Sequence, residues 1–89
     1  MDAGHTHRFA ERAVREVSSR TMSPAGWQRY QDAILGLRLA LDAGDLPEVR
    51  AIAEALAALT FPGQQEQPPR LRTLTDDILR ELGERGGGH

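Results

Sequence analysis

The sequence of 89 residues contains no cysteine and no lysine, and only four of its residues are aromatic. Without cysteine, neither a disulfide nor a thiolate zinc site can stabilise the fold. The chain also lacks an apolar run as long as a membrane span or the apolar segment of a signal peptide. These absences predict a soluble cytoplasmic protein whose thin apolar core is completed by a partner.

The net charge of the chain is also small. Eleven arginines and thirteen acidic residues give a net charge of −2 and a pI of about 5.9. Phosphate backbones and anionic lipids therefore exert no long-range attraction, so nucleic-acid and membrane partners are disfavoured. The use of arginine alone, together with abundant alanine and glycine, is typical of a high-GC bacterial genome. Arginine also suits bidentate pairing with carboxylates at an interface.

Helical periodicity is the main pattern that is present. Apolar residues recur with helical spacing in four segments, and none shows the strict alternation of a strand. The predicted fold class is all-α, a compact bundle of three to four helices in a single domain over residues 6–82. Helices are predicted over 6–20, 24–43, 46–60 and 69–82. Residues 1–5 and the glycine-rich tail 83–89 are predicted to be disordered.

The second and third helices have the clearest local signals. Ser23 can cap the second helix, with Pro24 at its first position, and Gly44 can end it. Asp45 with Glu48 resembles a capping box at the start of the third. The short turn predicts a central antiparallel hairpin. Spacings of three and four predict the core stripe of the second helix: Trp27, Tyr30, Ile34, Leu37 and Leu41.

The segment that follows the hairpin has a different composition. Residues 61–69 read FPGQQEQPP, with three prolines and one glycine, and cannot continue a helix. This composition predicts a mobile linker inside the domain. The alanines of the third helix are predicted to let a neighbouring backbone approach closely: Ala51, Ala53, Ala55, Ala57 and Ala58.

Residues with catalytic or metal-binding chemistry are sparse. His5 and His7 form an H-x-H pair without a third ligand at a suitable spacing, which predicts solvated coil rather than a metal site. Asp76, Asp77 and Glu81 lie beside arginines on a helix and are interpreted as surface charges. The sequence predicts no catalytic residue, no metal and no cofactor, and therefore a protein that is not an enzyme.

A partner interface is predicted from aromatic, leucine and arginine residues, of which Trp27 and Tyr30 also belong to the predicted core stripe. Trp27 and Tyr30 belong to residue types enriched at binding hot spots, although a position in the core is the alternative. Leu35 and Leu39 widen the apolar surface of the second helix. Two basic stripes are interpreted as solvated faces or as contacts for an acidic partner. One consists of Arg8, Arg12 and Arg15, and the other of Arg70 and Arg72. The candidate interface comprises Trp27, Tyr30, Leu35, Leu39, Arg70 and Leu74.

Four segments in order carry a family resemblance: SPAGW (23–27), LALDAGD (39–45), AIAEALAALT (51–60) and PPRLRTLTDDILREL (68–82). Over roughly residues 22–82 the chain resembles the CATRA-associated small proteins of high-GC bacteria. The resemblance implies a small helical adaptor or regulator in a conflict system. Its implied partner is an effector encoded nearby, caspase-like or with tetratricopeptide repeats. The resemblance carries over no catalytic residue and excludes the first helix.

Three functions remain open at this point. The first is a non-catalytic protein-interaction module that binds a partner or a second copy of itself, forming a homo-oligomer. The alternative is a small DNA-binding regulator or antitoxin-like protein, which needs a basic recognition face. The third is an enzyme subunit with chemistry at an oligomer interface, which needs a buried ionisable pair.

Overall fold

Four α-helices account for most of the chain in the computed structural model, which describes residues 3–87. They are α1 (Ala3–Ser18), α2 (Pro24–Ala43), α3 (Leu46–Ala57) and α4 (Pro69–Gly87). Within residues 3–87 the β-type pairing is confined to one isolated bridge, between Met22 and Gln65. The predicted all-α bundle is confirmed. None of the helices in this range has the length and apolar character needed to cross a bilayer.

Local side-chain signals set the limits of α2 and the start of α3. The Ser23 hydroxyl accepts a hydrogen bond from the Gly26 amide at 3.3 Å, and Pro24 occupies the first helical position. Gly44 ends α2 with φ of 67°, a left-handed conformation that costs glycine little. The Asp45 carboxylate then accepts from the Glu48 amide at 3.2 Å and begins α3. The predicted caps at Ser23, Gly44 and Asp45 are confirmed. The capping box is only half formed, because the Asp45 amide donates to the Ala40 carbonyl at 2.9 Å rather than to Glu48.

The helices form a four-membered ring in which chain neighbours are not always spatial neighbours. α2 and α3 form the predicted antiparallel hairpin, and α1 packs against both α3 and α4. α2 contacts α4 more loosely, so α1 lies diagonally opposite α2, and α3 lies diagonally opposite α4. The guanidinium of Arg50 lies 4.3 Å from the centre of the Phe9 ring and joins α3 to α1.

The two remaining connections, residues 19–23 and 58–68, cross each other at one end of the bundle. Each spans a diagonal of the ring, and both lie at the end where α1 and α3 finish. Met22 and Gln65 exchange backbone hydrogen bonds of 2.9 and 3.1 Å, and the Ser23 amide donates to the Phe61 carbonyl at 3.1 Å. The prediction of a mobile linker is wrong, because backbone groups of one connection are bonded to the other.

Close packing at this crossing depends on Gly63. A Cβ atom at Gly63 would lie 2.3 Å from the backbone nitrogen of Ser23 and 2.5 Å from the carbonyl carbon of Met22. No side chain fits in that space, so glycine allows the two connections to touch through their backbones.

At the other end of the bundle, both predicted disordered segments are partly helical. α1 begins at Ala3 and α4 continues to Gly87, which corrects the prediction for residues 3–5 and 83–87. The two segments lie against each other: Arg8 donates to the Gly86 carbonyl at 3.1 Å, and a Cβ at Gly86 would lie 3.1 Å from that of His7. Tertiary packing therefore stabilises helical backbone in residues 3–5 and 83–87, although their local helix propensity is weak. Residues 1, 2, 88 and 89 lie outside the described residues.

α3 also ends earlier than predicted, at Ala57 rather than Thr60. The Leu59 amide bonds to the Leu56 carbonyl in a tighter turn, while the Arg20 guanidinium donates to the Leu59 carbonyl at 3.2 Å. Pro62 further disfavours helical backbone at Phe61. The chain therefore leaves α3 before the apolar pattern of the sequence ends.

The core lies along the axis of the ring and contains every residue of the predicted α2 stripe. Its largest fully buried side chains come from all four helices: Val14, Val17, Trp27, Tyr30, Ile34, Leu37, Leu41, Val49, Leu56, Leu71, Ile78 and Leu82. The alanines of α3 behave differently from the prediction, since only Ala53 is buried. The other four are exposed, and Ala58 lies just beyond the end of α3.

Candidate partner-binding surface

Two leucines project from the outer side of α2. The side chain of Leu39 is 71% exposed and that of Leu35 is 43% exposed, and they are the large hydrophobic residues that the described chain leaves exposed. Their four-residue spacing places them one above the other on one face of the helix. The core stripe with Leu37 and Leu41 occupies a different face, so these leucines form a separate apolar surface.

This surface continues from α2 onto α3. Gly36 faces Ile52, whose Cδ1 atom lies 3.4 Å from a Cβ position on Gly36, and Ile52 is half-buried between the helices. Nearer the crossing, Asp32 and Ala55 line a shallow groove of about 220 Å³. We define the hairpin face as the outward side of α2 and α3 formed by Leu35, Leu39, Ala51, Ile52 and Ala55.

Acidic side chains border the hairpin face. On α2, Asp32 precedes Leu35 by three residues and Asp42 follows Leu39 by three, and Glu48 lies exposed at the start of α3. Between residues 24 and 57 the chain has five acidic residues and three arginines, so the hairpin accounts for the net charge of −2. Arg50 is engaged by Glu54 and the Phe9 ring on the α1 side. Arg29 and Arg38 on α2 are also exposed, and Arg29 lines the same groove as Asp32, so the border of the face carries both signs of charge.

Trp27 and Tyr30 do not belong to any surface, which corrects their place in the predicted interface. Their exposures are 1% and 0%, and the rings meet edge to face with centroids 5.4 Å apart. The Trp27 indole nitrogen donates to the Gln65 carbonyl at 2.8 Å. This hydrogen bond joins the connection between α3 and α4 to the core. Trp27 and Tyr30 are therefore core residues, as the alternative interpretation predicts.

The Tyr30 hydroxyl belongs to a buried chain of hydrogen bonds. Thr75 donates its only hydroxyl hydrogen to Gln67, so Tyr30 donates to Thr75 across 2.6 Å. Burial raises the pKa of Tyr30 above its ordinary value, and a phenol that donates its hydrogen is itself held in the neutral form. Tyr30 is therefore a neutral structural donor that joins α2 to α4.

Arg70 and Leu74, the α4 members of the predicted interface, lie in different environments. Arg70 is exposed, and its guanidinium approaches the Gln31 side chain at 3.5 Å. Gln31 precedes Leu35 by one helical turn, so Arg70 lies at the border of the hairpin face. Leu74 is half-buried against the core and adds little exposed apolar surface. The structure brings Leu35, Leu39 and Arg70 to one side of the molecule.

The basic stripe of α1 lies on the diagonally opposite side. Arg8 is engaged with the Gly86 carbonyl, and Arg15 pairs with Glu11 at 2.9 Å, while Arg12 is exposed. On α4, Asp77 pairs with Arg80 at 3.7 Å and Glu81 with Arg85 at 2.8 Å, as expected for surface charges.

His7 is the second candidate site and corrects the prediction of solvated coil. Its side chain is buried in α1, and Nδ1 has no hydrogen-bond partner among the described residues. It borders a cavity of about 210 Å³ with Leu41, Leu46, Val49 and Arg85. Burial lowers the pKa of His7, Arg85 lowers it further, and Glu81 opposes both. Within residues 3–87, no three His, Asp or Glu side chains converge as metal ligands do.

The sequence predicts that Ile52 is buried with Val49, Leu56 and Leu59, whereas it is only half-buried. The carboxylates near the hairpin face are not part of the predicted interface, although the sequence contains a signal for them. Asp32, Leu35, Leu39 and Asp42 follow one another at spacings of three and four, which places them along one helical stripe. Comparison of the chain with known proteins finds no matching family model, no matching curated protein and no matching solved structure.

Proposed function

We propose that this protein is a non-catalytic helical module that binds another protein through the hairpin face. The exposure of Leu35 and Leu39 side by side is the observation that carries the proposal. Fully burying an exposed leucine side chain contributes roughly 1.5–3 kcal/mol. The exposed fractions of Leu39 (71%) and Leu35 (43%) together amount to about one such side chain, so a partner that buries both gains about that much. Neither leucine has a role inside the bundle that would explain its apolar character.

We further propose that the module serves as an adaptor or regulator in a bacterial conflict system and acts in the cytoplasm. The support is the resemblance to CATRA-associated small proteins, whose matching segments include α2 and α3 and therefore the hairpin face. The expected partner is an effector encoded nearby, caspase-like or with tetratricopeptide repeats. α1 lies outside the resemblance and supports the hairpin from the opposite side of the ring.

The DNA-binding alternative has weaker support. A recognition helix needs arginines that are available to phosphates and base edges. On α1, Arg8 and Arg15 already bond within the molecule, and the arginines near the face with exposed leucines are interleaved with carboxylates. A salt-dependent DNA complex that is lost in Arg12→Ala would favour this alternative over the adaptor.

The test is the molar mass by light scattering of the full chain at several concentrations, alone and mixed with the product of the neighbouring gene. A complex that forms with the native chain and is lost in Leu39→Ser supports the proposal. Ala57→Ser is the matched control, because Ala57 is exposed on α3 but lies two residues from Ala55 and on a different face. A chain that remains monomeric in every mixture contradicts it.

A further inference from the structure

We infer that the cavity beside His7 is a binding site for a small uncharged molecule with a compact apolar body and one hydroxyl group, as in a phenol. The cavity lies at the end of the bundle where α1 begins and α4 finishes, on the inner side of α2. Leu35 and Leu39 lie on the outer side of that helix, so the inference does not depend on the proposed function.

The size of the cavity suits a single ring. All four helices or their ends contribute to its wall, and it measures about 210 Å³ and is open to solvent on one side. Small residues create the space, namely Ala3 on α1, Ala40 on α2 and Gly44 just after α2. An engineered apolar cavity of about 150 Å³ binds benzene. The space beside His7 therefore accommodates an aromatic ring with one substituent.

The wall of the cavity is mostly apolar. Leu41, Leu46 and Val49 supply branched side chains, and the polar side chains of the described lining are those of His7 and Arg85. Sites for small molecules combine such a wall with a few polar groups that fix the orientation of the ligand. The apolar wall therefore favours an apolar body, and the two polar residues select its head group.

His7 supplies a hydrogen-bonding atom that the rest of the described chain does not use. The residue is only 7% exposed, and Nδ1 has no hydrogen-bond partner among residues 3–87. A buried polar atom without a partner destabilises a fold, so its presence requires an explanation. Because the imidazole lines the cavity, the head group of a ligand can supply the partner.

The charges around the cavity favour an uncharged ligand. The Nε and Nη2 atoms of Arg85 lie 3.1 and 2.8 Å from the Glu81 carboxylate, so this cation is already paired. Burial lowers the pKa of His7, Arg85 lowers it further and Glu81 opposes both, so the imidazole is neutral at neutral pH. The residues of α2 and α3 that line the cavity carry no charge. A ligand carboxylate would therefore find no unpaired cation and would meet the charge of Glu81.

A hydroxyl group matches both polar residues without adding charge. Its hydrogen can be donated to an unprotonated ring nitrogen of His7, and its oxygen can accept from the Nη1 atom of Arg85. Protonation of His7 removes the acceptor, so binding of such a ligand should weaken as pH falls. A carboxylate ligand would have the opposite dependence, because it would bind together with a proton on His7.

The experiment is an NMR titration of the isotopically labelled full-length protein with phenol, toluene and benzoate, which share a ring and differ in the head group. Amide shifts of Leu41, Leu46 and Val49 report on the cavity, and that of Met22 reports on the opposite end of the bundle. We expect phenol to shift the cavity amides with a dissociation constant of about 1 mM near neutral pH. Toluene and benzoate should bind at least about fivefold more weakly, and phenol should lose affinity between about pH 7.5 and 5.

Variants of the protein locate the ligand. Ala40→Leu fills the cavity and is expected to weaken phenol binding by at least about tenfold. His7→Leu removes the hydrogen-bonding ring at similar volume and should weaken phenol by about fivefold while leaving toluene unchanged. Ala57→Leu is the matched control, since it makes the same change at an exposed position of α3 outside the cavity lining. Circular dichroism checks that each variant is folded.

The inference would be overturned by phenol that shifts no cavity amide up to about 10 mM, or by shifts that persist in Ala40→Leu. Equal binding of toluene would also overturn it, because the head group would then be unrecognised. Benzoate that binds more tightly than phenol, and more tightly still as pH falls, would overturn it in favour of a carboxylate. The hairpin face is tested separately, since Leu39 does not line the cavity.

Discussion

The two ends of the bundle are held together in different ways. At the crossing end, residues 19–23 and 58–68 are joined by backbone hydrogen bonds and by the Trp27 indole. At the terminal end, where α1 begins and α4 finishes, Gly86 packs on His7, whose Nδ1 has no hydrogen-bond partner among residues 3–87, and a cavity of about 210 Å³ lies beside it. In this protein the irregular segments at the crossing are therefore packed more specifically than the regular helical segments at the terminal end.

Gly63→Ala is expected to have the largest effect, because the new Cβ would lie 2.3 Å from the Ser23 nitrogen and would force the two connections apart. We expect the free energy of unfolding to fall by about 3 kcal/mol, the combined cost of overpacking and lost hydrogen bonds. Urea denaturation measures it. Gln64→Ala, at an exposed neighbour, is the control and should change stability by less than about 0.5 kcal/mol. Similar values for both variants would mean that the crossing is not tightly packed.

Trp27→Phe is expected to destabilise the crossing end by about 2 kcal/mol, since it removes the donor to the Gln65 carbonyl and leaves a small cavity. Tyr30→Phe is the matched comparison, because Thr75 keeps its hydrogen bond to Gln67. Tyr30→Phe is expected to lower the free energy of unfolding by only about 1 kcal/mol. Thermal unfolding followed by circular dichroism ranks the two, and a larger loss for Tyr30→Phe would contradict the role assigned to the indole.

At the terminal end, a glycine-to-alanine substitution is expected to raise the free energy of unfolding instead of lowering it. Gly83 lies inside α4, and a Cβ there would be 3.9 Å from the nearest carboxylate oxygen of Glu11, an ordinary contact. Gly83→Ala is therefore expected to stabilise the protein by about 0.7 kcal/mol through helix propensity. Gly86→Ala, 3.1 Å from His7, should gain less. Loss of stability in Gly83→Ala, measured by urea denaturation, would argue against a helical 83–87 segment.

The smallest expected effect is a dependence on pH at the terminal end. The pKa of His7 is lower in the folded protein, chiefly through burial and then through Arg85, than its ordinary value of 6.5. Below that value the unfolded chain takes up a proton before the folded protein does, so stability should decrease as pH falls and level off below the folded pKa. Denaturation midpoints between about pH 7.5 and 5 test this. The slope should be reduced in His7→Gln and retained in His5→Gln.

The sequence predicts those parts of the fold that depend on neighbouring residues. Ser23, Pro24 and Gly44 set both ends of α2 by local chemistry, and the extent of α2 is confirmed. The helical ends at Ala3 and Gly87 depend on contact between segments that lie far apart in the sequence. The fixed conformation of residues 61–69 likewise depends on backbone hydrogen bonds to Met22 and Ser23. No local pattern encodes those contacts.

The same distinction applies to the candidate site. The width of the apolar surface on α2 predicts that neighbouring helices cover α2 on more than one side, and this is wrong for Leu35 and Leu39, which are exposed. Their exposure agrees instead with the apolar patch that the interaction-module hypothesis predicts. Residue type alone does not distinguish a hot-spot tryptophan from a core tryptophan, and Trp27 is buried because the crossing supplies an acceptor for its indole. Whether the hairpin face binds a partner remains a prediction.

The crossing also has a consequence for how the chain folds. Met22 and Gln65 are 43 positions apart, and the helical hairpin lies between them, so no two consecutive helices can form this contact alone. Because long loops must close before such contacts form, we expect the crossing to be completed after the hairpin in refolding. Trp27 is the only tryptophan in the chain, so stopped-flow fluorescence would record that late step, while far-ultraviolet circular dichroism would follow the earlier growth of helix.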